Sequence, residues 1–264
     1  MRDSKGRHNK MKPYIVRFVA SGRGKGKTFI ASQVVSRLKA RGYIVAVIKH
    51  VHGDVDIADK DSAVYRSSGA DLVLLSTRNY GTLFINRWVD DLEHIVKFAN
   101  APIIVVEGYR ESEVGEAVVV GDTVNEVEEM LKIVKSVVAA VVKEEPLSAT
   151  DEKLKNVQLF THKSVDSLAE FIEARAFSYL LSQTPRTNCG MCGYSTCEAL
   201  VKAFMIGKSG WCPVASNVRL VIDGRLVPLN PFVKNVLRST VEGFLSALKG
   251  VSENRKKIII EIEY

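Results

Sequence analysis

The sequence predicts an α/β fold, a mostly parallel sheet with crossover helices, followed by a small α+β module. Three observations in the 264-residue chain carry that expectation. Short apolar, β-branched runs alternate with segments of helical period from residue 14 to about 180, the pattern of strands joined by crossovers. The first run leads directly into "SGRGKGKT", a glycine-rich loop between a strand and a helix. All four cysteines fall within one 24-residue window, Cys189 to Cys212.

Each element has a local reason. "YIVRFVA" (Tyr14–Ala20) reads as the first strand, and "FIASQVVSRLKARG" as a helix with a basic last turn and Gly42 as its stop. "YIVAVIKH" is nearly continuous in apolar residues, as a strand buried on both faces should be. A polar loop over 51–61, a short helix to Ser68, the strand "DLVLLST", the strand-like "TLFI" and a helix over 87–99 come next. "APIIVV" is a strand that ends at Glu107. Further strands are expected at Ala117–Val120, Val137–Val142 and Val157–Phe160, with helices over 124–135 and 165–180. Near 180 the pattern changes: a helix over Cys197–Ile206, a hairpin turning on Asp223-Gly224, a helix over 232–248 and a last strand, "KKIIIEIE". The expected organisation is a disordered basic tail (1–12), a nucleotide-binding domain (13–180) and a cysteine-bearing module (181–264).

The formal charge of +7 is split: residues 1–12 carry five Lys/Arg against one Asp (+4), and 187–264 carry ten against six (+4), leaving the body at about −1. A nucleic-acid binder focuses its charge on one surface, so no nucleic-acid partner is expected. No apolar run approaches the roughly 18 residues of a membrane span, and no apolar stretch follows the basic N-terminus as in a secretory signal. The expected location is the cytoplasm, where clustered thiols stay reduced and bind metal more often than they pair.

In "SGRGKGKT" the glycines Gly22, Gly24 and Gly26 let backbone N–H groups curl around phosphate oxygens, and the following helix adds its positive N-terminal end. Lys27 is placed to reach the β- and γ-phosphates and Thr28 to ligate Mg²⁺. Ser21 stands where a P-loop has its first glycine. Such a loop needs an acidic group at the end of a second apolar strand, and Glu107 supplies it. Lys27 and Glu107 are therefore the candidate catalytic pair. The loop "IKHVHGDVDIADKDS" then concentrates ionisable groups at the carboxyl end of the second strand, on the side of the P-loop. Lys49 fits a phosphate cation, Asp56 or Asp61 a metal or water ligand, and His50 and His52 substrate binding or acid–base work. The same residues also fit a charged surface loop.

With the P-loop ahead and "VVEGYR" behind, this stretch resembles the molybdopterin-guanine dinucleotide biosynthesis protein B family. The resemblance rests on Ile48, Lys49, His50, His52, Asp56, Lys60, Asp61, Ser62, Arg66, Gly69, Ala70, Glu107 and Gly108, and spans roughly 13–175. It implies a GTP-binding protein, either a weak GTPase or purely an accessory, assisting a guanylyltransferase in molybdenum or tungsten cofactor synthesis. Ser21 and Pro102 depart from the family's pattern. GTP over ATP is implied by the resemblance alone, since "THKSVD" only approximates a guanine-reading box. The expected partners are the molybdopterin guanylyltransferase, molybdopterin-bearing enzymes and a second copy of the chain.

The cysteines are spaced C-x2-C-x4-C-x14-C: Cys189, Cys192, Cys197 and Cys212. Structural zinc sites favour two C-x2-C knuckles, whereas three thiols in one glycine-containing loop plus a distant fourth suit a [4Fe–4S] cube, with one thiolate per iron; a zinc site and unligated thiols are the alternatives. The window resembles the small [4Fe–4S] modules of corrinoid iron–sulfur proteins and of electron-transport complex B subunits. Two other functions stay open at this point: an NTP-driven iron–sulfur electron-transfer or maturation factor, and a non-enzymatic adaptor with a structural nucleotide.

Overall fold

The structure, a computed structural model, describes residues 11–51, 53, 61–143, 157–208, 210, 212–213, 218, 220–227, 229–248 and 258–262. It separates into two units. Lys12–Leu180 with Ala203–Lys208 forms the larger, and Met11, Leu181–Lys202 and the described residues of Ser209–Tyr264 form the smaller.

The first half of the larger unit runs β1 (Tyr14–Val19), α1 (Lys27–Ala40), β2 (Val45–Lys49), α2 (Asp61–Ser67), β3 (Leu72–Ser76), β4 (Gly81–Ile85), α3 (Leu92–Ile95) and β5 (Ile103–Glu107). It continues with β6 (Glu116–Val120), α4 (Val124–Leu131), β7 (Val137–Val142), β8 (Gln158–Thr161) and α5 (Val165–Ser182), whose last residues reach into the smaller unit. Six strands form one sheet in the order β2-β5-β1-β6-β7-β8, every pairing parallel. β1, β5 and β6 lie inside it and are buried along nearly their whole length, which explains why their sequences are mostly apolar and β-branched. One apolar cluster joins Val119, Ala140 and Val142 of the sheet to Val127 and Met130 of α4. A second joins Ile104 and Val106 of β5 to Leu92 of α3. Because every strand points the same way, the loops after β1, β2 and β5 emerge together at the carboxyl edge.

Arg17 sits in the middle of β1 and is fully buried. Its guanidinium donates to the carbonyl oxygens of Val114 (2.9 Å), Tyr109 (3.0 Å) and Lys135 (2.9 Å), with a longer contact to Arg110 (3.4 Å). A buried charge is tolerated when its donors are satisfied, and here they pin the segment that follows β5.

Four expectations change. The helix expected over 87–99 is a single α-helical turn, Leu92–Ile95. Arg87 takes a positive φ of 56°, and Asp91 caps the helix by accepting from the His94 N–H at 3.0 Å, so helix begins only there. The helix expected over 124–135 ends at Leu131. β3 and β4 pair antiparallel as a two-stranded sheet of their own. Of the last expected strand, 258–262 joins no ladder; Ile258, Ile259, Ile260 and Ile262 are exposed, and among the described residues no strand lies against them.

The smaller unit holds the first part of α6 (Cys197–Met205), β9 (Leu220–Ile222), β10 (Arg225–Val227) and α7 (Pro231–Ser246). β9 and β10 pair antiparallel across Asp223 and Gly224, both at positive φ (50° and 74°) as a two-residue hairpin of this hand requires. Asn230 caps α7 by accepting from the Val233 N–H at 2.9 Å. Among the described residues no helix is long and apolar enough to cross a membrane.

Candidate functional site

The glycine loop runs from β1 into α1, which opens at Lys27 with Gly26 as a left-handed cap. Gly24 and Gly26 take positive φ (76° and 81°). The Lys27 ammonium donates to the Gly22 carbonyl. Burial holds its pKa below the ordinary lysine range; Glu107 opposes that shift and the Lys49 charge adds to it. On the next turn of chain, Thr28 Oγ1 donates to Glu107 Oε1 at 2.7 Å. The register explains the meeting: Glu107 ends β5 opposite Phe18 of β1 on one side and Lys49 of β2 on the other. Lys49 Nζ lies 3.3 Å from Glu107 Oε2 and 3.4 Å from Thr28 Oγ1. Lys27, Thr28, Lys49 and Glu107 thus form one polar group at the carboxyl edge, a hydroxyl and a carboxylate flanked by two ammonium groups.

His50 extends the group. Its N–H donates to the Glu107 carbonyl at 2.9 Å, its ring stacks on Tyr109 with centroids 4.4 Å apart and planes 17° from parallel, and Nε2 lies 3.0 Å from Asp90 Oδ2. The Tyr109 hydroxyl donates to the other Asp90 oxygen, and burial, then Asp90, raises the phenol's pKa above its ordinary range. Gly108 makes the close approach possible: a Cβ there would stand 2.7 Å from His50 Cβ, at a φ of 107°. Of the other expected residues, Asp61 stands exposed in the first turn of α2, while His52 and Asp56 lie outside the described residues.

The loops after β6, β7 and β8 grip the glycine loop from the other side. Lys25 Nζ lies 2.7 Å from Asp122 and 2.6 Å from Glu126, and Lys143 lies 2.5 Å from Asp122. Hydrogen bonds from Lys143 and then Lys25 pull the Asp122 carboxyl down to about 2. The His162 ring packs on the loop, so that a Cβ at Gly26 would meet its Cε1 at 3.0 Å.

Sequence reasoning missed Asp90, Tyr109, Lys25, Asp122 and Glu126. The Asx cap before "LEH" was the one local signal for the segment around Asp90. Nothing in the order of residues ties Lys25 to Asp122, 97 positions away.

In the smaller unit Cys197 and Cys212 are buried and Cys189 and Cys192 half-buried, and none of the four is in a disulfide. Asn188, at φ 49°, accepts the Cys197 N–H on its side-chain oxygen at 2.9 Å, and Gly190 and Gly193 take φ 72° and 84°. These turns fold Cys189, Cys192 and Cys197 into one compact loop. Thr187 Oγ1 is buried beside that loop with no hydrogen-bond partner among the described residues. No three His, Cys, Asp or Glu side chains among the described residues stand close enough for a single metal ion. Four cysteines outside any disulfide, a loop relieved by two positive-φ glycines and an unmet hydroxyl are a donor set that fits an iron–sulfur group.

Comparison with known proteins follows the same division. The family model "Molybdopterin guanine dinucleotide synthesis protein B" matches residues 15–144, and the model "Putative Fe-S cluster" matches residues 185–213. The chain is 28% identical over 246 residues to a Methanocaldococcus jannaschii protein named "Putative molybdopterin-guanine dinucleotide biosynthesis adapter protein", covering 90% of this chain and 93% of that one. It is 28% identical over 162 residues to the Escherichia coli K12 molybdopterin-guanine dinucleotide biosynthesis adapter protein, covering 58% of this chain and 88% of that one. A crystal structure of molybdopterin-guanine biosynthesis protein B aligns at a TM-score of 0.48 and 24% identity, over 61% of this chain and 98% of that one. A Bacillus stearothermophilus homologue aligns at a TM-score of 0.46 and 15% identity, over 62% and 97%. Residues 15–144 are thus similar to the molybdopterin guanine dinucleotide synthesis protein B family, and the segment that follows, with all four cysteines, is similar to an iron–sulfur family model.

Proposed function

We propose that this protein is a GTP–Mg²⁺-binding adapter that assists the guanylylation of molybdopterin, and that its cysteine loop holds a [4Fe–4S] cluster. The observation that carries the nucleotide reading is the Thr28–Glu107 hydrogen bond of 2.7 Å, at the mouth of a glycine loop and beside two ammonium groups. A hydroxyl and a carboxylate at that spacing are the pair that orders Mg²⁺ against a terminal phosphate in phosphate-loop proteins. Lys27 and Lys49 supply positive charge for the phosphates, and the N–H groups of Gly22–Gly26 the cradle. Because Lys49 already neutralises part of Glu107, and no arginine stands in the group described, slow turnover fits better than rapid hydrolysis. The adapter role comes from the two named relatives, and the partner it implies is a separate guanylyltransferase. A second copy of the chain and molybdopterin-bearing enzymes remain part of the proposal, as does a cytoplasmic location.

Cys189, Cys192, Cys197 and Cys212 would hold the cluster, one thiolate to each iron, and the bound group would supply one-electron chemistry or a structural staple. The test is reconstitution of molybdopterin guanylylation by a purified guanylyltransferase with GTP and Mg²⁺, with and without this chain. Stimulation by the wild-type chain and none by Lys27→Ala is the expected result. An equal rate in its presence and absence contradicts the adapter reading.

A further inference from the structure

Lys234 on α7 is a buried lysine, 5% exposed. Lysines are almost never buried unless paired, because an ammonium taken out of water without an anion costs several kcal/mol. Its Nζ donates to the carbonyl of Pro213, the residue directly after Cys212. A neutral carbonyl does not answer a charge. That carbonyl belongs to the neighbour of Cys212, which brings the ammonium beside the fourth cysteine; burial pushes the lysine's pKa down, and negative charge at Cys212 and Cys189 would push it back up. The cation beside the lone fourth cysteine comes from a helix that starts 18 residues after Pro213. Asn230 fixes that helix's first turn, and Lys234 lies one turn further on.

We propose that Lys234 is the counter-ion of the cysteine-held cluster, setting its reduction potential upward and tying α7 to the fourth ligand. The inference rests on the cluster reading above. Four thiolates around a [4Fe–4S]²⁺ core carry two net negative charges, and reduction adds a third. A fixed positive charge beside Cys212 favours the more negative, reduced state. Reduction adds one electron to the core and makes or breaks no bond; in the experiment that electron comes from dithionite.

The test is a potentiometric titration of the anaerobically purified full chain, followed by the electron paramagnetic resonance of the reduced cluster. Wild type is compared with Lys234→Met, which keeps the length and loses the charge, and with Lys234→Arg. At any fixed potential the reduced-to-oxidised ratio should fall at least tenfold in Lys234→Met, which is about 59 mV for one electron, and stay within about threefold of wild type in Lys234→Arg. A Lys234→Met protein with an intact cluster and the wild-type ratio overturns the counter-ion role and leaves the cluster standing. Iron-free wild type overturns the cluster and this inference with it. Should Lys234→Met come out iron-free, an iron-bearing Lys234→Arg supports the need for charge, and an iron-free Lys234→Arg overturns it in favour of plain packing.

Discussion

At the carboxyl edge of the large sheet, Thr28, Lys49 and Glu107 answer one another, with the closest contact at 2.7 Å. In the smaller unit, backbone turns gather Cys189, Cys192 and Cys197 instead, and a buried lysine donates to the carbonyl directly after Cys212. The first arrangement is a site whose polar groups are already satisfied by protein, so a ligand can come and go with little change in fold. The second gathers cysteines on loop turns, so a metal group bound there would contribute directly to the stability of its unit. The two halves of the chain should therefore respond differently to substitution.

The sharpest contrast comes from the cysteines. Serine at Cys189, Cys192, Cys197 or Cys212 should reduce iron from about four atoms per chain to near zero in anaerobic protein, with loss of the brown colour. Nucleotide affinity should stay at the wild-type value, because the phosphate-loop group lies wholly within Lys12–Leu180. Iron analysis and a nucleotide titration on the same sample check both halves. Loss of nucleotide binding in a serine variant would break the comparison.

Within the sheet unit the largest effect should come from Arg17. Arg17→Met keeps apolar bulk in β1 but strands the carbonyls of Val114, Tyr109 and Lys135. Charged hydrogen bonds are worth roughly 1.5–3 kcal/mol each, so chemical denaturation should register a loss of about 3 kcal/mol or more. An unchanged midpoint would mean the segment after β5 is held by something else.

A smaller, purely functional change is expected at Glu107. Glu107→Gln keeps the hydrogen bond from Thr28 and removes the charge. Affinity for a GTP analogue without Mg²⁺ should stay within about threefold of wild type, while hydrolysis at saturating Mg²⁺ slows by about tenfold or more. Wild-type turnover in this variant would return Glu107 to an ordinary strand end.

How much of this was legible in the sequence depends on the range of each contact. The glycine loop, its flanking strand and helix, and Glu107 at the end of "PIIVV" were readable because residue type and spacing are local. Cys189 to Cys212 were readable for the same reason. The sheet's strands showed as apolar runs, but their order did not, and neither did the separate β3–β4 hairpin, since pairing is decided by distant partners. The helix over 87–99 was drawn too long because apolar spacing gave no sign of the positive φ at Arg87. Asp90 and Tyr109 were missed because they meet His50 only through the fold, Asp90 from 40 residues away. Lys234 reads as one more surface lysine until the structure buries it against the Pro213 carbonyl. Arg17 interrupts an apolar strand, and its role shows only in the fold, where it donates to the carbonyl of Tyr109, 92 residues away.

The central claim is that the loop ending in Lys27 and Thr28 binds the phosphates of a guanine nucleotide with Mg²⁺. Calorimetric titration of the anaerobic full chain with a non-hydrolysable GTP analogue, with and without Mg²⁺, on wild type and Lys27→Ala, tests it most directly. A charge-assisted contact to phosphate is worth about 1.5–3 kcal/mol, so Lys27→Ala should bind at least about tenfold more weakly, and wild-type binding should tighten with Mg²⁺. Equal affinity in the two proteins, or no heat of binding in wild type, would contradict the account.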